Sequence, residues 1–146
     1  MKFNFKLQNV LLIKQKFEEQ QKNQFMIAKR ELNAKEEFLE VLISDYSAAL
    51  EESKKSRIKK ISVRELKEMD HKLKYSEDRI IRQKLLIQKA QEVVDIEQEK
   101  LFEIMKERKT YEQLKEKEFE EYKIAMNVKE MGEIDELTSY LNGKAK

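Results

Sequence analysis

The sequence predicts an all-α protein, a long two-stranded antiparallel coiled-coil hairpin, and three observations carry that expectation. Proline is absent from the 146 residues, and glycine occurs only at Gly132 and Gly143. These two residue types punctuate strands, turns and loops, so the composition argues against a sandwich, a barrel or a nucleotide-binding α/β fold. Charged residues make up 41% of the chain, and Glu, Lys, Leu, Ile and Gln dominate, which is the composition of long helices. Apolar residues recur at heptad spacing in two long segments on either side of one break.

The charges almost cancel, with 31 basic and 29 acidic residues. Disorder usually combines low hydrophobicity with a large net charge, so a folded chain is the better expectation. The absence of cysteine rules out disulfides and thiolate metal sites and fits a reducing compartment. The longest apolar run near the start is Val10-Leu11-Leu12-Ile13. It falls far short of a signal-peptide core or a membrane span of ~20 residues, so a soluble, uncleaved chain is expected.

The first helix is expected from about residue 4 to 56. A heptad register through positions 7, 11, 14, 18, 21, 25, 28, 32, 35, 39, 42, 46 and 49 is apolar at nine of thirteen places. Lys14, Glu18, Gln21 and Lys35 interrupt it, and Phe17 and Phe38 lie beside it. A turn is expected within residues 53–61, because Ser62-Val63-Arg64-Glu65 has the form of a capping box. The Ser62 hydroxyl can accept from the Glu65 amide while Glu65 reaches back, with Ile61 and Leu66 placed for a hydrophobic staple. The second helix is expected from 63 to about 131. Its seam, 66, 69, 73, 76, 80, 83, 87, 90, 94, 97, 101, 104, 108, 111, 115, 118, 122 and 125, is apolar at twelve of eighteen places. Acid-to-base pairs such as Glu31/Lys35 and Asp78/Arg82 add only ~0.2–0.5 kcal/mol each, so the seam must supply most of the stability.

One apolar stripe per helix and one turn define a single antiparallel hairpin domain over residues 1–146. With the turn centred near residue 58, Leu7 lies opposite the region of Lys109. The second helix beyond about Leu114 then overhangs with an unpaired stripe, a candidate binding surface or a frayed end. Gly132 is expected to end the helix, leaving a short tail over 132–146.

Catalytic and metal sites find no support. His71 has no companion at helical spacing, and no Gly-rich phosphate loop is present. The many carboxylates lie on solvated faces, where a two-helix hairpin offers no deep pocket to perturb them. No enzymatic activity, cofactor or metal is expected. The basic cluster Lys54, Lys55, Arg57, Lys59, Lys60 and Arg64 falls at the expected tip. It reads first as a solvated turn, then as a dock for an acidic partner. Nucleic acid would want a longer basic stripe with stacking aromatics, so no nucleic-acid partner is expected.

The opening Phe3-x-Phe5-x-Leu7-Gln8-x-Val10-Leu11 resembles the start of the flagellar export protein FliJ family. The resemblance extends over nearly the whole chain. It takes in the break before Ile61-Ser62, the stretch Tyr111-Glu112-Gln113-Leu114-Lys115-Glu116-Lys117, and a closing Asp135-Glu136-Leu137. It implies a cytoplasmic, non-enzymatic component of the bacterial flagellar type III export apparatus, not inserted in the membrane but held through its partners, peripheral at the cytoplasmic face of the inner membrane. The implied partners are the hexameric export ATPase, an export gate protein and the chaperones of export substrates. The implied role is that of a monomeric central stalk for the ATPase ring.

By that analogy the end where the termini meet would face the ring, through Phe3, Phe5, Leu7, Val10 and Leu11 with Phe119, Tyr122 and Met126. The tip half would face the gate through Phe38, Leu42, Tyr46, Met69 and Leu73. Four of these five, all but Phe38, also sit on the seam and read equally as core, and Lys72, Ser76 and Arg79 make the adjoining face polar. Two other functions fit the composition: an escort that holds export substrates or their chaperones on the overhanging stripe, and a self-assembling scaffold.

Overall fold

The computed structural model describes residues 2–59 and 61–144. Two helices account for nearly all of them: α1, Gln8–Ile58, of 51 residues, and α2, Val63–Lys144, of 82. No strand occurs among the described residues. The helices pack against each other antiparallel, so the fold is the expected hairpin. The heptad reading explains why. Every expected seam position of the first segment from Leu7 to Ala49, and of α2 from Leu66 to Tyr122, is buried or half-buried. Neither helix has a second continuous buried face, so each is held by one stripe.

The chain divides into two compact units, one of residues 1–20 with 102–146 and one of residues 21–101. In the second unit the best-buried cluster is Ala28, Leu32, Ala90 and Val94, with Phe25 and Ile87 packed on it. Polar seam residues are satisfied across the same interface. The Gln21 side-chain amide donates to the Glu97 backbone carbonyl at 3.0 Å and also to its carboxylate. The buried Gln83 amide donates to the Lys35 carbonyl at 2.9 Å.

In the unit that carries both termini, Phe5 and Leu11 are the buried apolar residues of the first segment, at 4% and 3% exposure. Buried Glu18 pairs with the Arg108 Nε, and Arg108 also donates to Glu112 at 2.8 Å. Lys14 reaches Glu107 at 2.7 Å. Three of the four residues that break the apolar pattern of α1, Lys14, Glu18 and Gln21, thus make side-chain polar contacts with α2, and the fourth, Lys35, offers its backbone carbonyl. Polar layers of this kind fix the register of a coiled coil at some cost in stability.

Three boundaries differ from expectation. α1 begins at Gln8, not Asn4; residues 2–5 are non-helical, and the Gln8 amide donates to the Phe5 carbonyl at 3.1 Å. Alternating Phe3, Phe5 and Leu7 suit an extended segment laid on α2 better than a helix. The connection is shorter than 53–61, because Ser53 to Ile58 remain helical. α2 begins at Val63 as expected, with the Ser62 hydroxyl accepting from the Glu65 amide at 3.3 Å.

The third difference is the largest: α2 passes through Gly132 to Lys144, where a tail was expected. Gly132 does not adopt the left-handed conformation that ends helices. One glycine costs about 1 kcal/mol relative to alanine, and the proline-free sequence around it carries the helix through. A Cβ at Gly132 would meet nothing within 4 Å. Gly132→Ala should therefore add helicity at 222 nm and slow amide exchange over residues 127–140, by up to about 1 kcal/mol of local stability.

Candidate functional site

The residues expected at the terminus-bearing end lie together in one unit. The Phe3 ring meets Phe119 edge-on, with centroids 5.2 Å apart at 62°, and leans on Tyr122 at 5.5 Å. Such aromatic pairs add about 0.5–1.5 kcal/mol beyond area burial. The Lys123 Nζ sits over the Phe119 ring, 4.6 Å from its centroid. Phe3, Leu7, Val10, Tyr122 and Met126 are half-buried, and Phe119 keeps 38% of its surface. Phe5 and Leu11 are buried and act as anchors. A shallow groove lies between the segments, lined by Phe3, Leu11, Gln15, Glu112, Lys115 and Phe119.

This pairing corrects the expected register. α2 is not free beyond Leu114, because Phe3 covers Phe119 and Tyr122. The short connection, centred past residue 58, shifts which residues face each other. The exposed stretch begins after Tyr122, where every residue with a described side chain except Met126 is exposed. Ile124, Val128, Met131, Ile134 and Leu141 recur there at three- and four-residue steps or their sum, each more than half exposed. Glu130 and Glu133 line a hollow with Ile134 and Leu137 on the same stretch. Exposed apolar Leu12, Ile13 and Phe17 on α1, and Phe102 on α2, extend the apolar surface of this unit beyond the expected residues. Their signal was present in the sequence as apolar residues off the seam.

The other expected set lies in residues 21–101 and is less uniform. Leu42 is buried, while Tyr46, Met69 and Leu73 are half-buried. Met69 and Leu73 line a small hollow with Ala49, Glu52, Ser53 and Lys72. Phe38 is 44% exposed, and the Arg79 guanidinium lies 5.9 Å from its ring centroid and 5.8 Å from that of Tyr75. Phe38 also borders a groove with Ala34, Lys35, Gln83 and Leu86.

The Tyr46 hydroxyl donates to Glu77 at 2.8 Å. That hydrogen bond holds the phenol above its ordinary pKa, with partial burial and the Glu77 charge adding to it. A raised folded pKa means that this contribution to stability is complete below the phenol's ordinary range and is lost as pH rises through the folded value. In an alkaline absorbance titration of the five tyrosines, Glu77→Gln should move one tyrosine to lower pH and leave the others in place. An unchanged titration would mean that Tyr46 and Glu77 do not interact.

No group of three or more metal-ligating side chains occurs among the described residues. Among them, too, no helix is long and apolar enough to cross a membrane. A protein-family profile described as Flagellar FliJ protein matches residues 2–146. No curated protein and no solved structure matches the chain.

Proposed function

Because the chain belongs to the flagellar FliJ protein family and is thereby a flagellar export component, we propose that it is a non-enzymatic, stalk-like regulator of the export ATPase ring. In this reading it acts as a monomer at the cytoplasmic face of the inner membrane and links the ring to the export gate. The observation that supports the ring-facing end is the aromatic cluster of Phe3, Phe119 and Tyr122 beside exposed Leu12, Ile13 and Phe17. It ties the N-terminal segment to α2 at Phe119 and Tyr122. A single asymmetric helix pair in a six-fold ring contacts one subunit differently from the next. Only such differential binding can bias the subunits' conformational equilibrium. Phe38, Tyr46, Met69 and Leu73 are the residues proposed toward the gate, with Leu42 as the buried support beneath them.

The experiment is nucleotide turnover by the export ATPase of the same organism, with wild type and with Phe119→Ala/Tyr122→Ala. Wild type should raise turnover, and the double variant should raise it much less while keeping its helicity. Full stimulation by the variant would remove this end from the mechanism.

A second reading is supported by a different observation, the exposed stripe from Ile124 to Leu141. It suits an escort that holds export substrates or their chaperones. Met131→Glu/Ile134→Glu should then abolish capture of those clients and leave ATPase stimulation in place. The acidic residues Glu130, Glu133, Asp135 and Glu136 on the same stretch disfavour pairing of two copies through it.

A further inference from the structure

The two most exposed large apolar side chains among the described residues are both at the hairpin turn, Ile58 at 87% and Val63 at 69%. Neither packs as a seam residue, and they flank a connection of only four residues, 59–62. Basic residues surround them. Between Lys54 and Lys67 the sequence holds seven, Lys54, Lys55, Arg57, Lys59, Lys60, Arg64 and Lys67, against one acid, Glu65. Lys60 lies outside the described residues; the other six are exposed.

Helix stability accounts for only part of this cluster. Lys55 and Arg57 occupy the last turn of α1, where cations favour the helix dipole. Arg64 and Lys67 stand at the start of α2, where the dipole disfavours them. Two ion pairs temper the charge, Arg57 with Asp70 at 3.7 Å and Arg64 with Glu68 at 3.6 Å. Both are solvent-exposed and therefore weak. Glu51 and Glu52 precede the cluster on α1, so the positive surface is confined to the turn.

We infer that the tip docks on an anionic lipid bilayer, with Ile58 and Val63 entering the headgroup boundary and the basic ring contacting lipid phosphates. Each Lys or Arg near an anionic membrane strengthens binding, and a buried aliphatic group adds the hydrophobic term that basic residues lack. A nucleic acid, or an acidic protein surface without an apolar floor, would use the charges but would leave two aliphatic side chains in water. The surface is interfacial, and nothing in it spans the bilayer. It needs no partner protein, so it stands or falls apart from the stalk reading.

Flotation of the full chain with vesicles tests it. Phosphatidylcholine vesicles containing phosphatidylglycerol should bind the chain, with affinity falling as salt rises, and pure phosphatidylcholine vesicles should not. Lys54→Glu/Lys55→Glu/Lys59→Glu should weaken binding at least about a hundredfold. Ile58→Ser/Val63→Ser, at exposed positions that leave the fold intact, should weaken it about tenfold while the salt dependence persists. Equal binding by either variant and wild type would overturn the proposal. So would equal retention by neutral vesicles, or tighter binding to duplex DNA that is indifferent to Ile58 and Val63.

Discussion

Arg108→Leu should destabilise the terminus-bearing unit by about 2–3 kcal/mol, below the 3–5 of a fully enclosed pair. The reason is what it leaves behind. Glu18 keeps 7% of its side-chain surface and Arg108 keeps 18%, so the carboxylate would stay in the interface and lose the Arg108 guanidinium. The Glu112 hydrogen bond, with Glu18 also accepting, holds the guanidinium pKa above its ordinary value, and the arginine remains charged at any pH the fold survives. The double variant Glu18→Leu/Arg108→Leu should regain most of the loss, since a buried pair replaced by apolar residues is commonly neutral or stabilising. Its cost should appear as register. Cross-linking between a cysteine at Lys14 and one at Glu107 should be efficient in an otherwise wild-type background and spread to neighbouring positions in the double-Leu background. Denaturation followed by circular dichroism measures the first effect. An Arg108→Leu loss under about 0.5 kcal/mol would mean that the pair is solvated.

Phe5→Ala should cost about 3 kcal/mol, at the lower end of the range for truncating a core phenylalanine. Phe5 is 4% exposed although it lies outside any helix. Its backbone has no helical ladder to hold it, so the side chain must anchor the segment to α2. Losing the anchor releases Phe3 from Phe119 and Tyr122, and amide exchange over residues 8–14 should accelerate. Phe17→Ala is the control: at 48% exposure it should change stability by no more than about 0.5 kcal/mol. If the two variants are equally stable, the N-terminal segment is not anchored by Phe5.

The seam of both helices was legible because burial in a two-helix hairpin has one period and one face. Leu11, Ala28, Leu42, Val94 and Leu101 needed no more than heptad counting. The polar members of the seam were harder to read. Glu18 and Gln21 look like defects along one helix and become cross-helix partners only when Arg108 and Glu97 are set opposite them. That placement depends on where the connection is centred. The glycine- and proline-free region of residues 53–61 hid that centre, and with it the pairing of Phe3 with Phe119. Gly132 misled because an exposed glycine in a long helix costs less than the helix gains by continuing. The alternation of Phe3, Phe5 and Leu7 did carry a signal for an extended start, which the heptad reading overrode. Exposed Ile58 and Val63 could not be weighed from sequence, since both adjoin seam-like neighbours until the turn is known.

Titration of this chain into the flagellar export ATPase, with nucleotide turnover as the readout, tests the stalk reading most directly. Turnover should rise and saturate near one chain per ring. No rise with a fully helical chain, or saturation only at one chain per ATPase subunit, would contradict it.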